Sequence, residues 1–161
     1  MNQADHKLLS WRLRSALKAL QQGGVIAYPT EAVWGLGCDP YNHDAFQRLL
    51  ALKQRPADKG VILVVSNEHQ LSSLFGNLSP EQLATIRAHS ARPTTWLIPA
   101  DDSIPPWITG QHDTVAVRLS KHPSVYSLCE AFGGAIVSTS ANRAGMPPAR
   151  SYLRVRCLFG S

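Results

Sequence analysis

Three cations fall close together in Lys53-Gln54-Arg55-Pro56-Ala57-Asp58-Lys59, between a helical pattern and the apolar run Val61 to Val65. Like charges at such spacing repel unless an anion lies among them, so the segment reads as a cradle for a nucleoside triphosphate or an RNA backbone. A second stretch, Ser138-Thr139-Ser140-Ala141-Asn142, concentrates hydroxyls and an amide, with Gly145 close behind. Such groups hydrogen-bond a phosphate or carboxylate without titrating near neutrality, although alone they equally suit a helix cap or a turn. Arg118 ends the run Thr114-Val115-Ala116-Val117 and precedes His122-Pro123. A guanidinium there can grip a carboxylate with two parallel hydrogen bonds, as an amino-acid substrate would require, or close a strand-end salt bridge.

Several commoner chemistries are missing. The chain has no Gly-x-x-x-x-Gly-Lys-Ser/Thr loop and no Gly-x-Ser-x-Gly elbow, and Gly35-Leu36-Gly37 lacks the third glycine of a dinucleotide fingerprint. The 6 His are scattered, and Cys38, Cys129 and Cys157 form neither a Cys-x-x-Cys pair nor a set with a nearby His. An ordinary triad hydrolase is therefore not expected, no side chain is assigned as a metal ligand, and the cysteines are expected to be buried, reduced thiols of a cytoplasmic protein.

The elements that must position these groups follow from periodicity. Leu9, Leu13, Ala16, Leu17 and Leu20 make one helical face that Gly23-Gly24 would end. Val25 to Tyr28 reads as a strand stopped by Pro29, with Val33 to Cys38 a second, glycine-broken strand or loop and Thr30-Glu31 in the turn between them. Ala45, Phe46, Leu49, Leu50 and Leu52 give a second helix that delivers Lys53 and Arg55 at its end. Val61 to Val65, an unbroken apolar run, reads as a strand buried on both faces, which places the cations at a sheet edge. A helix near Pro80 to His89, a strand Thr94 to Ile98, a proline-rich loop Ala100 to Pro106, a strand Thr114 to Arg118, a helix from Pro123 to Gly133-Gly134 and a last strand Ala135 to Val137 complete the pattern. The expected class is α+β, a layered α/β arrangement with an open, twisted mixed sheet flanked by helices.

At 161 residues the chain is read as a single domain, residues 1–161. Lys plus Arg number 16 against 11 Asp plus Glu, a net charge of +5 that favours anionic partners without choosing among them. From Ala131 onward there are four arginines (143, 150, 154, 156) and no acid, which suits RNA contact or a merely solvated basic terminus. No apolar run approaches the roughly 18–20 residues of a membrane span, so no membrane partner is expected.

Taken in order, Tyr28-Pro29-Thr30-Glu31-Ala32-Val33-Trp34-Gly35-Leu36-Gly37, Leu52-Lys53-Gln54-Arg55-Pro56 through Lys59-Gly60, Val115-Ala116-Val117-Arg118 with His122-Pro123, and Ser138 to Asn142 with Gly145 resemble the YrdC family over nearly the whole chain. The resemblance is strongest to the short, single-domain bacterial TsaC type, the threonylcarbamoyl-AMP synthases. It implies a nucleotidyltransferase reaction in which L-threonine, bicarbonate or CO2, and ATP give threonylcarbamoyl-AMP and pyrophosphate, for N6-threonylcarbamoyladenosine (t6A) at position 37 of tRNA. It implies Mg2+ beside the ATP, and the other threonylcarbamoylation proteins and tRNA as partners. By resemblance, Lys53 and Arg55 are the catalytic pair. Lys53, Arg55, Lys59, Thr114, Ser140 and Asn142 bind ATP, while Thr30, Arg118 and Ser138 bind threonine. Loss of Lys53 or Arg55 is expected to abolish adenylate formation and leave the fold intact.

The chain departs from the family pattern in three places. Ser90-Ala91-Arg92-Pro93-Thr94-Thr95 replaces a Trp-Pro-Gly-Pro-x-Thr segment, keeping Pro93 and Thr95. Ala144 stands where relatives commonly carry serine, and the family's last C-terminal segment is not in the 161 residues. Two competing readings remain at this level: a non-catalytic double-stranded RNA or tRNA-binding maturation factor, and a generic nucleotide-binding domain. Tyr28, Trp34, Trp96 and Trp107 could stack on adenine, or could pack in the core.

Overall fold

The computed structural model describes residues 3–76, 78–89 and 92–160. In chain order these form α1 (Gln3–Gln21), β1 (Ile26–Pro29), β2 (Trp34–Gly37), α2 (His43–Lys53), a single 3-10 turn (Ala57–Lys59), β3 (Ile62–Val65), α3 (Glu68–Leu74), α4 (Pro80–Ala88), β4 (Trp96–Pro99), the short α5 (Pro106–Thr109), β5 (Thr114–Leu119), α6 (Pro123–Phe132), β6 (Ile136–Ser140) and α7 (Tyr152–Phe159). The strands make one sheet in the order β1-β2-β6-β3-β5-β4. Of its pairings β3–β5 is parallel and the others antiparallel, so the expected open mixed sheet is what forms.

Local chemistry explains the helix boundaries. The Asn42 side chain accepts from Ala45 N at 2.9 Å and starts α2, while Gln54, in the left-handed region at φ 51°, ends it by donating its N–H to Leu50 and Ala51 carbonyls. Ser79 and Gln82 form a capping box at α4. His122 caps α6 ahead of Pro123, and Gly133 at φ 84° closes it.

The two sheet faces are covered unequally. On one, Phe46, Leu49, Leu63, Leu71, Val115 and Val117 belong to the larger core beneath α2 and α3. Each such fully buried side chain contributes about 1.5–3 kcal/mol of transfer free energy. On the other face α1 and α6 pack together against β1 and β3, burying Leu20, Ile26, Tyr28, Val64, Leu128 and Ile136. The main packing partners of those helices are β1 and β3. Along β5, Val115, Val117 and Leu119 are buried, whereas Thr114, Ala116 and Arg118 on the alternate positions are only partly so. Leu97, opposite Ala116, is 70% exposed. The uncovered half of this face is the floor of the cavity described below.

Several expectations are corrected. β3 lies between β6 and β5, in the middle of the sheet, so the cations that precede it do not lie at a sheet edge. Ser138, Thr139 and Ser140 are part of β6 itself and do not form a turn after it. Leu52 is 39% exposed and falls off the α2 stripe, and Cys157 is exposed, whereas Cys38 and Cys129 are buried and burial pushes each of their thiols up to about 12. Helices α3 and α7 have no counterpart in the pattern read from the sequence. Ser90, Ala91, Ser161 and the side chain of Leu9 lie outside the described residues. Among the described residues no helix is long and apolar enough to cross a membrane.

Candidate active site

The cavity has a volume of about 600 Å³ and collects residues from every motif singled out above. Thr30 comes from the β1–β2 turn, Arg55 and Lys59 from the segment after α2, Thr114 and Arg118 from β5, and Ser138 and Ser140 from β6. Sheet register accounts for their convergence: Ile62 on β3 pairs with Ala116 on one side and Ser138 on the other, and Gly35 on β2 pairs with Ser140. Partners directly across a sheet project to the same face, so groups far apart in sequence share one wall.

Arg118 is held before any ligand arrives. Its Nε and Nη2 donate to Thr95 Oγ1 at 3.1 and 2.8 Å, which leaves three of the five guanidinium N–H groups for a carboxylate. Thr95, kept from the family segment, thus aims the arginine. Thr30 closes its own turn, its hydroxyl and backbone N–H both donating to Val33 O, at 2.6 and 3.2 Å.

The Lys53–Lys59 segment resolves differently from the simple repulsion argument. Lys53 and Asn142 do not line the cavity; they stand behind its wall. Lys53 is 3% exposed, and its ammonium donates to Ser140 O, to Asn142 O at 3.0 Å and to Asn142 Oδ1 at 3.5 Å. Its carbonyl accepts from Ala144 N at 2.8 Å, so α2 is stitched to the end of β6 twice. Burial, and secondarily the neighbouring Arg55 charge, lower the Lys53 pKa to about 8. Because this lysine is built into the interior, its removal is expected to disturb the fold as well as the site. Ser140 Oγ donates to Asn142 Oδ1 at 2.5 Å, and the Asn142 amide donates to Arg143 and Met146 carbonyls at 3.0 and 2.8 Å.

Arg55 Nη2 donates to Lys59 O and Gly60 O at 3.2 and 2.8 Å, folding the segment back on itself, and its Nε is buried without a partner among the described residues. Lys59 is exposed at the rim. Gly110 holds this rim in place. At φ 64° it sits in the left-handed region, and a Cβ there would meet Gly60 N at 2.6 Å and collide with Asp58 O. Gly110→Ala is expected to cost about 1–3 kcal/mol and to weaken ATP more than threonine, measured by thermal unfolding and by both Michaelis constants.

Of the four aromatic candidates, Trp34 lines the cavity. Tyr28 is buried beside Ser138, and burial drives its hydroxyl pKa upward. Trp107 donates to Pro40 O at 3.1 Å, and Trp96 packs edge-on to His89. The cavity also takes in Glu31 and His112, which the sequence had not marked as site residues. No group of three or more His, Cys, Asp or Glu among the described residues is arranged to hold a metal ion.

The chain is similar to known proteins over nearly its whole length. The Sua5/YciO/YrdC family model, described as telomere recombination, matches residues 18–160. A threonylcarbamoyl-AMP synthase of Pseudomonas entomophila is 53% identical over 150 residues, covering 93% of this chain and 80% of that protein. One from Halorhodospira halophila is 50% identical over 161 residues, covering 100% of this chain and 84% of its own length. Among solved structures, P. abyssi Sua5 complexed with L-threonine superposes with a TM-score of 0.83 at 33% identity, covering 91% of this chain. The chain spans 43% of that longer protein.

Proposed function

The chain belongs to the Sua5/YciO/YrdC family, and we propose that it makes threonylcarbamoyl-AMP from L-threonine, bicarbonate or CO2, and ATP, with release of pyrophosphate, for t6A modification of tRNA. The observation that carries the reading is that one cavity gathers Thr30, Arg118 and Ser138 together with Arg55, Lys59, Thr114 and Ser140. An amino-acid subsite and a triphosphate subsite have to be contiguous for this reaction, and a basic RNA-binding face needs no such union.

In this reading Arg118 takes the threonine carboxylate, with Thr30 and Ser138 at its hydroxyl-bearing end. The amine attacks CO2, forming an N–C bond and releasing a proton, and a carbamate oxygen then attacks the α-phosphorus. The new P–O bond forms as the bond to the β-phosphate oxygen breaks, and pyrophosphate leaves in line. The protein's contribution is to orient the reactants and stabilise phosphate charge, so no side-chain nucleophile is required. Arg55 and Lys59 neutralise the triphosphate, Thr114 and Ser140 supply hydroxyls, and Lys53 with Asn142 supports Ser140 from behind. Among the described residues the lining offers one carboxylate, that of Glu31, so Mg2+ would be held mainly by the triphosphate itself and would supply charge neutralisation there. The subclass is that of a nucleotidyltransferase working in the cytoplasm, its product passed to the other threonylcarbamoylation proteins and tRNA.

The test is pyrophosphate release from ATP with and without L-threonine and bicarbonate. Release that depends on both is expected. No release, accompanied by tight and steeply salt-dependent RNA binding indifferent to threonine, would favour the non-catalytic RNA-binding factor.

A further inference from the structure

Glu31 is conspicuous by its charge. Among the described residues lining the cavity, Arg55, Lys59 and Arg118 are balanced by a single carboxylate, that of Glu31. In a site that collects phosphates and an amino-acid carboxylate, an acidic side chain repels the ligands unless it has a cation of its own to meet.

The structure tethers that carboxylate in one place. Glu31 Oε1 accepts from Ser120 Oγ at 2.7 Å. Ser120 is 2% exposed; its N–H donates to Val65 O at 3.0 Å, and its Oγ accepts from His122 N at 3.2 Å. The hydroxyl has one proton and gives it to Glu31. Thr114, Ala116 and Arg118 project into the cavity on alternate positions of β5, and Ser120, two residues beyond Arg118, also lines it. Two residues of extended chain span about 6–7 Å, so the clamp ties the β1–β2 turn to the same end of β5 that carries Arg118, and both side chains line one cavity.

An α-amino acid carries its carboxylate and its ammonium on the same carbon. Once Arg118 takes the carboxylate, the ammonium must fall a few ångströms away and needs an acceptor. We infer that Glu31, positioned by Ser120, binds the α-ammonium of threonine and makes the subsite select amino acids over carboxylic acids that lack the amine. This rests on the synthase reading above. Oε1 is held by neutral Ser120, which leaves Oε2 and the full negative charge for the ligand.

Calorimetric titration with L-threonine and with its analogue bearing a hydroxyl in place of the amine, (2S,3R)-2,3-dihydroxybutanoate, tests the inference. The unaltered protein should prefer threonine by about 10- to 100-fold, the usual worth of a charge-assisted bond. Glu31→Gln should remove most of that preference by weakening threonine alone, leaving the hydroxy acid within about 2- to 3-fold and the Michaelis constant for ATP unchanged. Glu31→Asp, which keeps the charge, should retain part of the preference, and Ser120→Ala should give a smaller loss in the same direction. Equal weakening of both ligands, or of ATP with them, would assign Glu31 a purely structural role in its turn and overturn the inference. So would a Glu31→Gln variant that binds threonine normally. A wild-type protein that binds no threonine and releases no pyrophosphate would overturn the synthase reading as well.

Discussion

Arg118→Lys is expected to raise the Michaelis constant for threonine by about 30- to 150-fold while leaving that for ATP within about 2-fold. The substitution keeps the positive charge, so its effect isolates geometry. In the native site two guanidinium N–H groups are fixed on Thr95 Oγ1, and the remaining edge is presented as a planar fork. Lysine offers a point charge on a flexible stem, cannot satisfy Thr95 and a carboxylate in the same rigid arrangement, and loses about 2–3 kcal/mol of bidentate binding. Arg118→Ala should cost more and still spare ATP. Thr95→Val removes the hydroxyl that aims the fork and should weaken threonine by a smaller factor, about 3- to 10-fold. Steady-state kinetics with each substrate varied in turn decides the matter. A rise in the ATP constant equal to that for threonine would mean that Arg118 braces the cavity and does not bind the amino acid.

That Arg118 would reach the cavity is legible because its signal is local: an arginine at the end of an alternating strand, before His-Pro. The helix α2 is legible for a similar reason, and the same periodicity also marks Lys53 as a buried position. Phe46, Leu49 and Leu50 are buried, and the next position in that series is Lys53, three residues beyond Leu50 and seven beyond Phe46. Leu52, apolar and therefore counted on the stripe, lies off it and is exposed. Residue type misled where spacing did not. The hydroxyl run shows the converse. Polar residues after an apolar strand suggest a turn, but β6 continues through Ser140 because its hydroxyls face a cavity, where a strand can be polar without ending.

The rest depends on pairings that no local pattern contains. β6, the last strand, inserts between β2 and β3, and only this order carries Ser140 to Lys53 across 87 residues of sequence. The Glu31–Ser120 clamp spans 89 residues and is invisible for the same reason. Helix α7 escaped because it buries Val155 and little else, so its apolar stripe is thin; the Ser151 cap, accepting from Arg154 N at 3.3 Å, was the one available sign.

Lys53→Met is expected to lower stability by about 2–5 kcal/mol and turnover by at least about 100-fold, with both losses arising from the same atoms. Methionine fills similar space but donates nothing, so Ser140 O, Asn142 O and Asn142 Oδ1 lose a shared donor in a nearly dry environment. The strand end that presents Ser140 to the cavity then loses its support. A lysine acting as a direct phosphate ligand would behave otherwise: its removal would raise the ATP constant and leave the melting temperature where it was. Chemical denaturation and kinetics on one preparation separate the two roles. The proton linkage adds a further readout. Lys53 titrates near 8 in the folded protein against an ordinary 10.5. Below pH 8 both states hold the proton and the group adds no slope; between 8 and 10.5 the unfolded chain binds a proton that the native state has released, so this group's contribution to stability rises with pH, by at most about 1.4 kcal/mol per unit. The stability gap between wild type and Lys53→Met should therefore widen from pH 8 to pH 10. A gap that narrows over that range would mean that the ammonium form is favoured by its three acceptors more than burial disfavours it.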